Sequence, residues 1–264
     1  MFIGHFAPAL AAATHPRAPK LAMLFVAGQL VDWGFFALLL AGAEKMRVVP
    51  GITATNPMDL YHMSYTHSLL GCALWALGFA ALVWLAQRDR VAAGIAGTVV
   101  LSHWLLDLLV HRPDLTLAGA PPKLGLGLWD RPWIEMPFEL ALTFGALWFY
   151  LGRTRGPMLP AIVLAAVLLA LQLVNWFGPV ASEVTPATSY LAFFAYGVAS
   201  LPHGGWGRLA RSRPRRGSPA LAPPLCARAC QIRALRSPQI SSPPTGCPRK
   251  NTPVCSMRSG ASLT

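Results

Sequence analysis

The ten residues "SHWLLDLLVH", Ser102 to His111, decide how this chain is read. They lie inside an apolar run, yet they place His103, Asp107 and His111 at intervals of four. In an α-helix successive steps of four turn through about 400°, so the three side chains fan over roughly 80° of one face. A greasy helix with three ionisable groups on one stripe needs a reason, and the rest of the chain supplies the setting.

Of 264 residues, 54% are hydrophobic and 12% charged, with a mean hydropathy of +0.47. Soluble domains carry about 25% charged residues, so the composition is that of a membrane protein. Six apolar segments approach the roughly 20 residues needed to cross a bilayer. They cover 19–42, 65–86, 90–111, 133–152, 157–178 and 184–203. A seventh, 1–14, is short and Ala-rich, suited to a thin span or a re-entrant helix, and "HPRAP" at 15–19 breaks the chain after it. The expected fold is all-α: a polytopic transmembrane helical bundle of six long spans plus a short N-terminal segment. No cleavable signal peptide is expected, because the N-terminus lacks a basic region before its apolar stretch.

The net charge of +12 belongs to the C-terminal tail. All ten acids precede residue 184, and eleven of the 22 Lys and Arg follow residue 203, which leaves the body at 11 − 10 = +1. This distribution speaks against nucleic acid as a partner. Residues 1–203 are therefore expected to form the transmembrane domain. Residues 204–264, rich in Pro, Arg and Ser, lack the apolar periodicity to fold and could contact anionic lipid head groups. Cys226, Cys230, Cys247 and Cys255 fall in that tail without zinc-finger spacing, and Cys72 sits alone in an apolar helix. The loops at 15–20, 87–90 and 153–156 hold Arg17, Lys20, Arg88, Arg90, Arg153 and Arg155; the opposite loops hold Lys45, Arg47, Arg112, Lys123 and Arg131. With the basic tail counted, the positive-inside rule puts the C-terminus in the cytoplasm and the N-terminus outside, as in a bacterial inner membrane.

On that topology the ionisable residues gather in one layer near the outer face: His5, Asp32, His67, His103, Asp107, His111, Glu135 and Glu139. A charged group at a helix centre costs about 2.5–3.5 kcal/mol on insertion scales, so such groups face one another or a wet cavity. A divalent cation would offset the carboxylates and take neutral imidazoles as ligands; zinc suits this donor set best. Residues i and i+4 lie about 6 Å apart along a helix axis and i and i+8 about 12 Å. His103 and Asp107 can thus share an ion, completed by His5, Asp32 or His67. His111 would stand at the mouth as a supporting group, a proton shuttle or a ligand of a second ion. Asp107, Glu135 and Glu139 are the candidates for general base.

Each residue also has a plainer reading. His5 or His67 alone could be an interhelical hydrogen-bonding group, His111 could mark the interface, and Glu135 and Glu139 could cap a helix N-terminus. His15, His62 and His203 are expected to be uninvolved. Trp104, Trp129 and Trp133 fit an interfacial aromatic belt. In "PPKLGLGLWDRPWIE", 121–135, Gly125 and Gly127 would let the backbone come close to something, folding the loop over the polar layer. Asp130 and Arg131 there are weaker candidates for contacting a substrate head group.

At these residues the chain resembles the bacterial predicted membrane-bound metal-dependent hydrolases, the YdjM-like proteins. The resemblance covers roughly residues 1–200. It is carried by Gly4-His5, Asp32, "THSLLG" at 66–71, "SHWLLDLLVH" at 102–111 and "GLGLWDRPWIE" at 125–135. It implies an inner-membrane protein with a His/Asp metal centre, His5, Asp32, His67, His103 and Asp107 as ligands, and a hydrolytic role. More remotely, the H-x-x-x-D element is similar to that of zinc-dependent phospholipase C. The leading expectation is a metal-dependent hydrolase acting near the outer leaflet on a lipid-like ester or phosphoester. The alternatives are a transporter or a proton- or metal-conducting protein using the same layer, a haem protein with paired axial histidines, and a structural protein.

Overall fold

The computed structural model describes residues 1–179 and 181–200. Seven α-helices make up most of it: α1 Phe6–Ala12, α2 Leu21–Leu40, α3 Leu69–Gln87, α4 Arg90–Val110, α5 Pro132–Arg153, α6 Met158–Phe177 and α7 Pro186–Ser200. Helices α2 to α6 are each 19–22 residues of apolar sequence, long enough to cross a membrane. They mark the chain as an integral membrane protein. The sixth expected span, 184–203, corresponds to α7, which holds 15 residues within the described part. The remaining residues of that span, His203 and the tail 204–264 lie outside the described residues.

Local sequence sets the helix ends. Ser68 caps α3, accepting the Gly71 amide at 2.9 Å. Asp89 caps α4 through the amides of Val91 and Ala92. Pro132 begins α5, where a missing N–H costs nothing. Helix α4 stops at Val110, since His111 is extended (φ −63°, ψ 144°) and Pro113 follows two residues on.

Helix α4 packs along α3 and α2, and α7 lies on α2 and α6. Wedged among α2, α4 and α5 is α1, preceded by a 3-10 turn at Ile3–His5. Ile3, Phe6, Ala9 and Leu10 are fully buried there. The apolar helical stretch Ile3–Ala12 is about 15 Å long by helix rise, half a bilayer. The N-terminal segment is thus a half-span, starting beside Asp107 and ending at the Arg17 turn.

Two small antiparallel hairpins, unforeseen in the sequence, lie on the loops that follow α2 and α4. Strand β1 (Lys45–Val48) pairs with β2 (Met58–His62), and β3 (Leu115–Thr116) with β4 (Lys123–Leu124). Buried Met46, Leu60 and Met63 of the first meet Val110, Leu115 and Trp129 in one apolar cluster. The clamp is ionic: Asp59 binds Arg47 at 2.6 Å and also Arg112, and Thr55 reaches the Trp129 carbonyl at 3.1 Å. At the other end of the bundle Arg17 grips Asp89 at 2.6 and 2.9 Å, joining the 15–20 and 87–90 loops as the charge count required.

Segregation of loops to two ends predicts a labelling pattern. With the four tail cysteines changed to Ser, Arg155→Cys and Ala120→Cys should react with a membrane-impermeant maleimide from opposite sides of a sealed vesicle. Labelling of both from one side would contradict the bundle described above.

Candidate metal centre

Asp107 is the hub. Its Oδ1 lies 3.1 Å from His5 Nε2, 3.6 Å from His111 Nε2 and 3.2 Å from the Met1 amine. Its Oδ2 lies 3.1 Å from His103 Nε2 and 3.6 Å from His67 Nε2. Asp32 Oδ1 completes the group at 3.3 Å from His67 Nε2 and 3.5 Å from His103 Nε2. All six residues foreseen as ligands therefore meet in one place. They come from the 3-10 turn, α2, the approach to α3, and α4.

Two overlapping sets can hold an ion, with donor atoms within 4.8 Å of one another: Asp32, His67 and His103, and His5, His103 and Asp107. His103 belongs to both. His111 turns back from just beyond the end of α4 to the Asp107 oxygen opposite the one that His103 approaches, in keeping with the i to i+8 argument. The rings of His5 and His103 stack face to face at 3.7 Å and 6°. That arrangement leaves no room for a porphyrin between these two rings.

His5 Nε2 and Asp107 Oδ1 hydrogen-bond at 3.1 Å, but one facing pair of donor atoms leaves its members unsatisfied. His103 Nε2 and Asp107 Oδ2, both fully buried, are 3.1 Å apart yet make no hydrogen bond. Buried polar atoms without partners cost about 1–3 kcal/mol each, so the arrangement asks for a cation. The chemistry of the donors fits a divalent ion: each set offers two imidazoles and one carboxylate.

The far sides of two rings are pinned. His103 Nδ1 meets the Gly28 carbonyl at 2.9 Å, and a carbonyl can only accept, so the proton is on Nδ1 and the Nε2 lone pair faces inward. His111 Nδ1 donates to Asp114 at 2.9 Å. Gly28 has a second task. A Cβ there would lie 2.5 Å from the His5 carbonyl oxygen, so only glycine lets α2 approach the N-terminal turn this closely.

The two glutamates do other work. Glu139 Oε1 accepts the amides of Phe2 (2.6 Å) and Gly4 (3.0 Å), and its Oε2 accepts Gln172 Nε2 at 2.9 Å. It caps the N-terminal turn and thereby holds His5, which is a different task from taking a proton. Glu135, one turn earlier on the same face, is 1% exposed, with Oε2 unpartnered.

Gly125 and Gly127 do bring the loop close: Leu126 and Gly127 donate to the carbonyls of Leu108 and His111, and a Cβ at Gly125 would strike the Arg112 carbonyl. The loop seats Trp129 against His111, ring centres 4.1 Å apart. Trp129 and Trp104 are buried, at 6% and 5% exposure, and Trp104 donates to the His67 carbonyl. Of the three tryptophans assigned to an interfacial belt, only Trp133, 71% exposed, is on the surface. His15 is exposed, and His62 stacks edge-on with Tyr65. The sequence missed Tyr196 of α7, whose hydroxyl interacts with Asp32.

Comparison of the chain with protein-family profiles, curated proteins and solved structures finds no match in any of the three.

Protein purified in native lipid should contain a stoichiometric divalent ion by mass spectrometry, lost on His103→Ala or Asp107→Ala. Adding metal at 100 times its Kd to stripped protein should stabilise it by about 2.7 kcal/mol, read as a higher unfolding temperature. Failure of both would remove the metal assignment.

Proposed function

We propose that this is an integral membrane hydrolase whose buried His/Asp centre holds a divalent ion, zinc by its donor set, and cleaves an ester or phosphoester of a lipid-like molecule. The observation that carries the reading is the gathering of histidine Nε2 and carboxylate oxygens within 4.8 Å of one another inside a membrane bundle, with His103 Nε2 and Asp107 Oδ2 unsatisfied. The resemblance to the membrane-bound metal-dependent hydrolases agrees with it. When bound, such an ion lowers the pKa of its water towards about 7 and polarises a phosphoryl or acyl oxygen.

The protein's own groups divide the remaining tasks. His67, His103 and the two aspartates would hold the ion. Asp107, ringed by four imidazoles, has no freedom to reach a substrate. Asp32 sits on the open edge: its side chain is 15% exposed, against at most 5% for the other five. Water or substrate approaching there meets the Asp32 carboxylate and the Tyr196 hydroxyl. The wall beside them is aromatic, with Trp33 stacked on Phe193 at 5.3 Å and Tyr196 tilted against Phe2, Trp33 and Phe36. An approach lined this way between α2 and α7 favours an acyl chain over a free sugar or nucleotide.

A conducting protein needs polar groups continuing to the far face. Towards the Arg17–Asp89 end the described interior is mostly apolar, with Leu10, Leu24, Val99, Val100, Leu164 and Leu168 beside the buried Tyr150 and Thr154. That filling favours the hydrolase over the transporter.

Reconstituted protein offered a panel of fluorogenic phospholipids and acyl esters should turn over at least one of them. Asp107→Asn and His103→Ala should each lower kcat/KM by about 100-fold or more, the scale on which ligand and supporting groups act. Chelation should abolish turnover and zinc restore it. Stoichiometric metal with no turnover on the whole panel would retire the hydrolase and leave the metal site standing.

A further inference from the structure

Of the three α4 and α3 imidazoles around Asp107, two have their outer nitrogen pinned by an unambiguous acceptor. The third, His67, does not touch a carboxylate or carbonyl with Nδ1. Its partner is the neighbouring hydroxyl, Thr66 Oγ1, at 2.8 Å. A hydroxyl can give or take, so this contact alone leaves the ring undecided.

The next residue out decides it. Glu44, 0% exposed in the turn between α2 and β1, accepts the Thr66 hydroxyl through Oε2 at 2.7 Å. Its Oε1 accepts the amides of Tyr65 and Thr66, each at 2.9 Å. As a carboxylate, Glu44 can only accept. It therefore uses the one hydroxyl proton that Thr66 has, and Thr66 must take a proton from His67.

From this chain we infer that Glu44, acting through Thr66, is a positioning residue of the metal centre: it fixes His67 as the Nδ1–H tautomer and turns the Nε2 lone pair onto Asp32 and Asp107. The inference rests on the metal reading given above. It assigns a role to a buried carboxylate that lies outside the donor set, two hydrogen bonds from it. Outer partners of this kind raise the basicity of the ligand and fix its ring, and their loss costs about 10–100-fold in metal affinity.

A purely structural Glu44, pinning the 65–67 turn through its two amide bonds, makes different predictions from a positioning one. Thr66→Val keeps the volume and both amide bonds but cannot relay; Thr66→Ser keeps the relay. Zinc affinity should be measured by competition with a chromophoric chelator, using full-length protein in nanodiscs. The expected result is an affinity 10–100-fold weaker for Thr66→Val and about threefold or less changed for Thr66→Ser. Independently of any variant, 15N shifts of histidine-labelled, metal-free wild type should report His67 as the Nδ1–H form.

An Nε2–H form in the wild type, or equal zinc affinity in wild type and Thr66→Val, overturns the positioning role while the metal reading survives. A wild type that binds no zinc or other divalent ion fails at the earlier step and takes both down. The tautomer measurement keeps the test decisive should Thr66→Val fold poorly.

Discussion

A carboxylate enclosed within a membrane bundle is the constraint from which the rest of the structure follows. Asp107 is 2% exposed at its side chain and stands three residues from the end of α4. An isolated anion there is costly, and the bilayer offers no water to relieve it. The protein surrounds it with Nε2 atoms from four histidines, brought from segments up to 102 residues away. The Met1 ammonium pairs with one Asp107 oxygen at 3.2 Å, and Asp32 adds a second negative group to the same cluster. The set could hold a divalent cation, and His103 Nε2 and Asp107 Oδ2 approach one another there without hydrogen-bonding.

Building such a centre fixes features that otherwise look unrelated. The half-span α1 must enter between α2, α4 and α5 to deliver His5, and its first turn has backbone N–H groups with no helical acceptor. Glu139 and Gln172 supply those acceptors, and Gln29 answers the Phe2 carbonyl. A carboxylate at a helix N-terminus also suits the helix dipole. Gly28 lets the turn sit close while its own carbonyl fixes His103. Two hairpins and the 121–131 loop then cover the end of the bundle, and the low dielectric they maintain strengthens every polar contact beneath.

What could be read from the sequence divides along a physical line. The spans were legible because apolar length is a local property, and the layer of His and Asp was legible because charge in an apolar run is conspicuous. All six candidate ligands, His5, Asp32, His67, His103, Asp107 and His111, meet at one centre. The supporting contacts were not legible. Glu44 and Thr66 lie 22 residues apart and look like a loop acid and a helix-start threonine. Gly28 supports His103 with a backbone oxygen, which no side-chain pattern can reveal. Tyr196 resembles any aromatic of an apolar helix until α7 is laid on α2. Glu135 and Glu139 share one face and one residue type, so spacing alone could not separate a cap from a proton carrier. Trp104 and Trp129 misled for the same reason, since their residue type signals an interface and only tertiary packing shows them inside.

The uneven enclosure of the two carboxylates separates their roles. Asp107 is held at both oxygens by imidazoles, and those of His111, His103 and His67 are tied at their outer nitrogens to Asp114, Gly28 and, through Thr66, Glu44. Each tie removes a rotation the ring would otherwise have, so the hub is rigid and its geometry is set before any ion arrives. Asp32 has no such cage; it borders the aromatic seam between α2 and α7 and meets a tyrosine hydroxyl there. A site needs one fixed side to hold its ion and one side open to exchange water and substrate. The cage around Asp107 offers the first, and Asp32, the more exposed of the two carboxylates at 15% against 2%, stands on the side where the second would lie.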